Sequence, residues 1–146
     1  MDAAVVLAGE IAFRVLDRDA DLAEHARLRA TLDALAVPAT FEHTGDDPAR
    51  WSAGAGGCAC TRRWLAPGST EEVQAGATSA VTGAGFALGP WETVASGARL
   101  AFGRRGDLHV VLALDPTWAW CGGRPVALTA GRVEVTAMVH ADGSDE

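Results

Sequence analysis

The residues of this chain best suited to chemistry are its three cysteines, Cys58, Cys60 and Cys121. Two of them flank a single alanine and the third lies far downstream, so several chemistries compete. Three thiolates with the imidazole of His43, His109 or His140 would make a Cys3His set for zinc, although zinc sites usually separate their cysteines by about two to four residues. A disulfide from Cys121 to Cys58 or Cys60 would close a long loop and stabilise by roughly 4 kcal/mol, given an oxidising compartment. The odd count would leave one thiol free to exchange with that bond, a redox site. The plainest alternative is a set of unreactive, partly buried thiols with no metal and no cofactor.

Tryptophan is the second unusual feature. Trp118 and Trp120 bracket Ala119 inside a segment, residues 115–125, that reads as a loop, and Trp91 follows a helix. Either both indoles seal the sheet, or one does so while the other faces solvent or a partner, as exposed tryptophans that anchor interfaces do.

Acid and base groups are present without a catalytic pattern. His109 precedes Asp115 on one strand, and Glu42, His43, Asp46 and Asp47 crowd one turn. Their spacing makes no triad or carboxylate pair, and Ser52, Ser79 and Ser96 lack the strained elbow that exposes a nucleophile. Gly54, Gly56 and Gly57 do not lead from a strand into a helix, and Gly83, Gly85 and Gly89 follow one at the wrong spacing, so neither group cradles a phosphate. No residue is assigned a catalytic role.

The formal charge of −7 opposes attraction to phosphate backbones or anionic lipid. Arginine is the only strongly basic residue, lysine, asparagine and tyrosine are absent, and Ile11 is the single isoleucine, a bias expected of a high-GC bacterial genome. The arginine pairs Arg62–Arg63 and Arg104–Arg105 read as solvated charge. The N-terminus carries no basic region before its apolar residues, and Glu10 and Arg14 interrupt them, so neither a secretion signal nor a membrane span is expected there. The expected location is the cytoplasm, or outside the cell if a leader has been removed.

At 146 residues the chain suits one domain over residues 1–140 with a frayed tail, 141–146, and can bury roughly two thirds of its unfolded surface. Residues 5–16 have helical spacing and a favourable Glu10–Arg14 pair. Leu28, Leu32 and Leu35 continue as a second helix that Pro38 ends. Residues 39–44 suit a short strand, Gly45-Asp46-Asp47-Pro48 a turn, residues 52–57 a glycine-rich loop and residues 61–65 a strand. Ser69-Thr70-Glu71-Glu72 is a capping box, Val73, Ala77, Ala80, Val81 and Ala84 form an apolar stripe, and Gly85-Phe86 caps the end. Leu100 and Phe102 then alternate with Arg99 and Ala101. Arg104-Arg105-Gly106-Asp107 turns into the apolar strand 108–114, and residues 132–140 alternate with Val133, Val135, Ala137 and Val139 inward.

This order of elements predicts an α+β fold, with N-terminal helices and one central helix packed on an antiparallel, curved sheet. From Leu35 to Trp91 the chain resembles small uncharacterised proteins and lipoproteins of high-GC bacteria. The resemblance rests on Pro38, Cys58-Ala59-Cys60, Arg62-Arg63-Trp64, Pro67-Gly68-Ser69, Glu71-Glu72-Val73 and Gly85-Phe86. It implies a small α+β domain and no activity, and the chain departs from the lipoprotein members in lacking a leader and a lipid-attachment cysteine near its start. Cone-shaped sheets of the cystatin or nuclear-transport-factor type have a comparable order of elements.

The expected function is a non-enzymatic interaction domain with an unidentified protein partner, self-association included, contacted through Trp118 and Trp120. The alternative is a small-ligand pocket or enzyme within a curved sheet, lined by Trp64, Trp91, His109 and Cys121.

Overall fold

The computed structural model describes residues 18–51, 58–121 and 124–141. The anticipated helix over 5–16, the glycine-rich loop 52–57 and the tail beyond residue 141 lie outside them. The described elements are α1 (Arg18–Asp33), β1 (Glu42–Trp51), β2 (Cys58–Pro67), α2 (Thr70–Gly83), β3 (Ala87–Leu88), β4 (Glu92–Thr93), β5 (Arg99–Arg105), β6 (Leu108–Asp115), β7 (Trp118–Cys121), β8 (Arg124–Ala127) and β9 (Arg132–Ala141). β9 thus runs one residue beyond the anticipated frayed boundary, with Ala141 paired to Leu108.

An open antiparallel sheet runs in the order β1-β2-β9-β6-β5-β3, with β4 also on β5, while β7 and β8 form a separate hairpin. This is the predicted α+β architecture: α1 packs on β2 and β9, and α2 on β9, β6 and β3.

α2 forms because its ends are satisfied locally. The Ser69 hydroxyl accepts the Glu72 N–H at 3.1 Å and the Glu72 carboxylate accepts the Ser69 N–H at 3.0 Å. At the other end Gly85 takes φ +96°, and the N–H groups of Gly85 and Phe86 donate to the carbonyls of Thr82 and Val81, placing Phe86 back in the core. Ser69→Ala is expected to cost about 1 kcal/mol, read as a lower urea midpoint at unchanged slope.

Strand pairing sets the rows of the core. Val133, Val135, Ala137 and Val139 of β9 face the helices, opposite Ala66, Trp64, Arg62 and Cys60 of β2 and Leu114, Leu112 and Val110 of β6. Small residues on the same phase of β5 let neighbours approach. A Cβ at Gly103 would stand 3.0 Å from the Ala87 carbonyl oxygen and the Val110 side chain.

Three readings need correction. The Gly45–Pro48 segment is not a turn: β1 runs through it, absorbing irregularities between His43 and Gly45 and between Asp47 and Arg50. β1 is the edge strand, so a proline at an irregularity removes no ladder bond that the sheet needs. On β5 the inward phase belongs to Ala101 and Gly103, leaving Phe102 55% exposed, because Ala101 registers with inward Leu112 and Phe102 with outward Val111. The Trp segment is a hairpin, not a loop.

The arginines read as solvated are partly structural. Arg62 lies on the helix-facing phase of β2 with its side chain only 12% exposed; it donates to both oxygens of Asp46 at 2.8 and 3.0 Å and pairs with Asp33 of α1 at 2.8 Å. Arg105 donates to the Ala84 carbonyl at 2.7 Å and stacks 4.8 Å over the Phe86 ring, closing the C-terminus of α2. Arg99 joins β5 to Gln74 and Glu71 of α2, and Arg27 of α1 pairs with Asp107 in the β5–β6 turn.

Candidate functional site

The helices cover one face of the sheet; the other carries the Trp118–Trp120 hairpin. β6 ends at Asp115, whose carboxylate accepts the N–H groups of Thr117 and Trp118 at 2.9 and 3.1 Å, a side-chain turn that redirects the chain into β7. β7 and β8 then pair Trp118 with Ala127, Ala119 with Val126, Trp120 with Pro125 and Cys121 with Arg124. The Leu128 N–H donates to the Thr117 carbonyl at 2.8 Å and closes the base.

Glu134 fastens this hairpin to the sheet. It sits on the outer phase of β9, between Leu65 and Asp115 across the ladders, and its carboxylate accepts the Trp120 N–H at 2.6 Å. The hairpin leaves Glu134 only 9% exposed. Burial pushes its carboxyl pKa up, against the Trp120 N–H and the Arg63 guanidinium, which pull it down, while Asp115 adds to the rise. A carboxylate buried for one backbone donor is a specific attachment point.

Side-chain direction follows from the period of two. Trp118 and Trp120 point to the same side of the hairpin, and Ala119, which points to the other, is buried. Neither the arrangement with one indole in and one out nor the one with both sealing the sheet is realised: the seal is Ala119, and the indoles stay 49% and 46% exposed. Pro125 and Ala127, both exposed, complete a small apolar platform, and Val126 is exposed on the opposite side.

The other candidate residues are dispersed. Trp64 is buried on the helix face of β2, with His43 tilted against it at 6.5 Å between ring centroids. Trp91 is half-buried at the core margin and donates its indole N–H to Thr78 of α2 at 3.1 Å. His109 lies on the opposite face of the sheet, and Cys121 at the exposed end of β7. Trp64, Trp91, His109 and Cys121 therefore do not line one concavity.

The cysteines separate as well. Cys60 is a free thiol in the core, its pKa pushed up chiefly by burial, and Cys121 is a free thiol on the hairpin over the other face. The Cys58 backbone pairs with Trp51. Among the described residues no three of His, Cys, Asp and Glu gather as metal ligands, and no helix is long and apolar enough to cross a membrane.

Two roles escaped sequence reasoning. The Asp46 carboxyl is held down to about 2, first by the Arg62 hydrogen bonds and then by His43, whose Nε2 lies 2.8 Å from it; burial opposes both. Glu134 keeps the outward phase that alternation gives it, and its burial comes from a hairpin that local signals did not reveal. No protein-family model, curated protein or solved structure matches the chain.

Proposed function

We propose that this protein is a non-enzymatic interaction domain that binds a protein partner through the Trp118–Trp120 face of the β7–β8 hairpin. The observation that carries the reading is two indoles projecting side by side, about half exposed, from a hairpin tied down at Asp115, Leu128 and Glu134. Tryptophan buries much area with few rotatable bonds, so a preordered pair loses little entropy on contact and makes an efficient anchor. The charge of −7 argues for a protein partner over nucleic acid. A second copy of the chain is one such partner.

The test is the double variant Trp118→Ala/Trp120→Ala. Truncating half-exposed side chains is expected to cost about 1 kcal/mol of stability or less for each. A photo-reactive residue at position 127, exposed beside Trp118 on the same side of the hairpin, is expected to cross-link its partner in cells with the parent chain and not with the double variant. If the partner is another copy, the parent sediments as a dimer and the variant as a monomer. Stability losses of several kcal/mol would make both indoles structural, and unchanged cross-linking would move the contact elsewhere; either result overturns the reading.

A further inference from the structure

We propose that Glu134 is a proton-operated latch: neutral, it holds the β7–β8 hairpin against the sheet, and ionised, it loosens the hairpin. Among the described residues little else holds the hairpin beyond its base. The side of it that faces the sheet contributes one buried residue, Ala119, 5% exposed, while all four residues of β8 are exposed. A single buried methyl group supplies little apolar stabilisation. The base is fixed separately, by the Asp115 turn and by the Leu128 N–H on the Thr117 carbonyl. Further along, the 2.6 Å hydrogen bond from the Trp120 N–H to Glu134 ties β7 to β9.

The charges around Glu134 make that tie sensitive to a proton. Asp115 stands directly across the β6–β9 ladder, and its carboxylate accepts the Thr117 and Trp118 N–H groups, so two neighbouring acids hold the N–H groups that lead into and along β7. Like charges directly opposite repel, and the hairpin excludes the water that would screen them, leaving Glu134 9% exposed. On the other side Arg63 of β2 attracts the carboxylate, while Leu65 separates it from Glu42 of β1. Arg132 is exposed two residues before it on the same phase of β9, and Cys121 and Arg124 pair at the exposed end of the hairpin. Burial outweighs the pull of the Trp120 N–H and Arg63 and favours the neutral acid. A neutral carboxyl still accepts the Trp120 N–H through its carbonyl oxygen, so protonation removes the charge and keeps the tie.

Lifting the hairpin returns water to Glu134 and its carboxyl toward the ordinary value of 4.5. The docked form therefore binds the proton more tightly than the lifted form. Docking is strongest below about pH 4.5, where Glu134 is neutral in both forms, and weakens as pH rises through the higher docked value. One proton changes the ratio of docked to lifted forms by at most about tenfold per pH unit. His109 and His140 sit at the far ends of β6 and β9 from the latch. Resting on the proposed role of the Trp118–Trp120 face, the consequence is that a protein partner binds more tightly in mildly acidic solution, where the indoles are held in place.

The test is hydrogen exchange of the Trp120 amide in the whole chain between about pH 4.5 and 7, each rate divided by the intrinsic rate at that pH, with the Val110 and Val139 amides of the central strands as reference. Protection at Trp120 is expected to fall as pH rises in the parent, by at most about tenfold per unit. In Glu134→Gln, whose neutral amide oxygen accepts the same N–H, it is expected to stay high and flat. Asp115→Asn keeps a side-chain turn of the same kind and removes the neighbouring charge, so the fall should be smaller and end at lower pH. Glu134→Ala should lose Trp120 protection at every pH while the reference amides keep theirs. Protection independent of pH in the parent, the same fall in Glu134→Gln, or an equal loss at the reference amides would overturn the latch. Because exchange is measured on the chain alone, the two readings fail separately: a titrating Trp120 amide with cross-linking unaffected by the Trp118→Ala/Trp120→Ala change removes the binding face and leaves the latch, and the converse removes the latch alone.

Discussion

Leu112→Ala is expected to lower stability by roughly 3–5 kcal/mol, near the upper end for truncating a buried leucine. Leu112 is 2% exposed at the centre of β6, and its row explains why the cost should be high. Across the ladders its immediate neighbours are Ala137 on β9 and Ala101 on β5, with Arg62 next beyond Ala137. Leu112 is the one large apolar side chain in that row, so its removal leaves a space that two alanines cannot fill. The α2 surface among the core residues is also small, built from Val73, Ala77, Ala80 and Val81. Val111→Ala, one position along on the partly exposed outer face, is expected to cost less than half as much. Urea unfolding of the two variants measures the difference, and equal losses would show that the row is repacked freely.

Arg62→Met should cost roughly 3 kcal/mol at neutral pH even though the new side chain packs well. It leaves Asp46, with its side chain only 17% exposed, without its main partner, and removes the link from β2 to Asp33 of α1. The pH dependence is distinctive. Asp46 has a folded pKa of about 2 against an ordinary value of 3.8, so its ionised form adds stability that is fully present above about pH 4. That contribution is lost as pH falls through about 2, and amounts to about 2 kcal/mol. In Arg62→Met the folded pKa rises toward the ordinary value, and the acid-dependent loss between pH 4 and 2 flattens. Asp46→Asn should remove the same slope, and the Arg62→Met/Asp46→Asn pair should be non-additive. Denaturant unfolding between pH 2 and 6 provides the measurement; a slope identical in the parent and both single variants would mean that the network contributes nothing.

The ionic cluster also explains why its arginine was misread. Arg62 follows Thr61 and precedes Arg63, and in sequence nothing distinguishes the two arginines. Strand alternation sends them to opposite faces, and pairing with Ala137 turns Arg62 toward α1 and Arg63 outward. Which of two adjacent charges is structural is therefore settled by the register of the strand.

The amino-acid sequence by itself determined the elements whose signals are local. α2 was legible at both ends because its capping box and glycine cap satisfy backbone groups within a few residues of themselves. β6 and β9 were legible because alternation and apolar runs record burial directly, and together with α2 they were enough for the α+β class. Tertiary structure alone decided the path of β1 through Gly45–Pro48, the inward phase of β5, the burial of Glu134 and the direction of both tryptophans. Each depends on a partner distant in sequence: β2 carries β1 past its turn-forming residues, β6 sets the phase of β5, and the hairpin covers Glu134. The candidate site was legible as residues, Trp118 and Trp120, but not as a surface. A surface is made by ladders between distant strands, and their register is a property of the whole sheet rather than of any one segment.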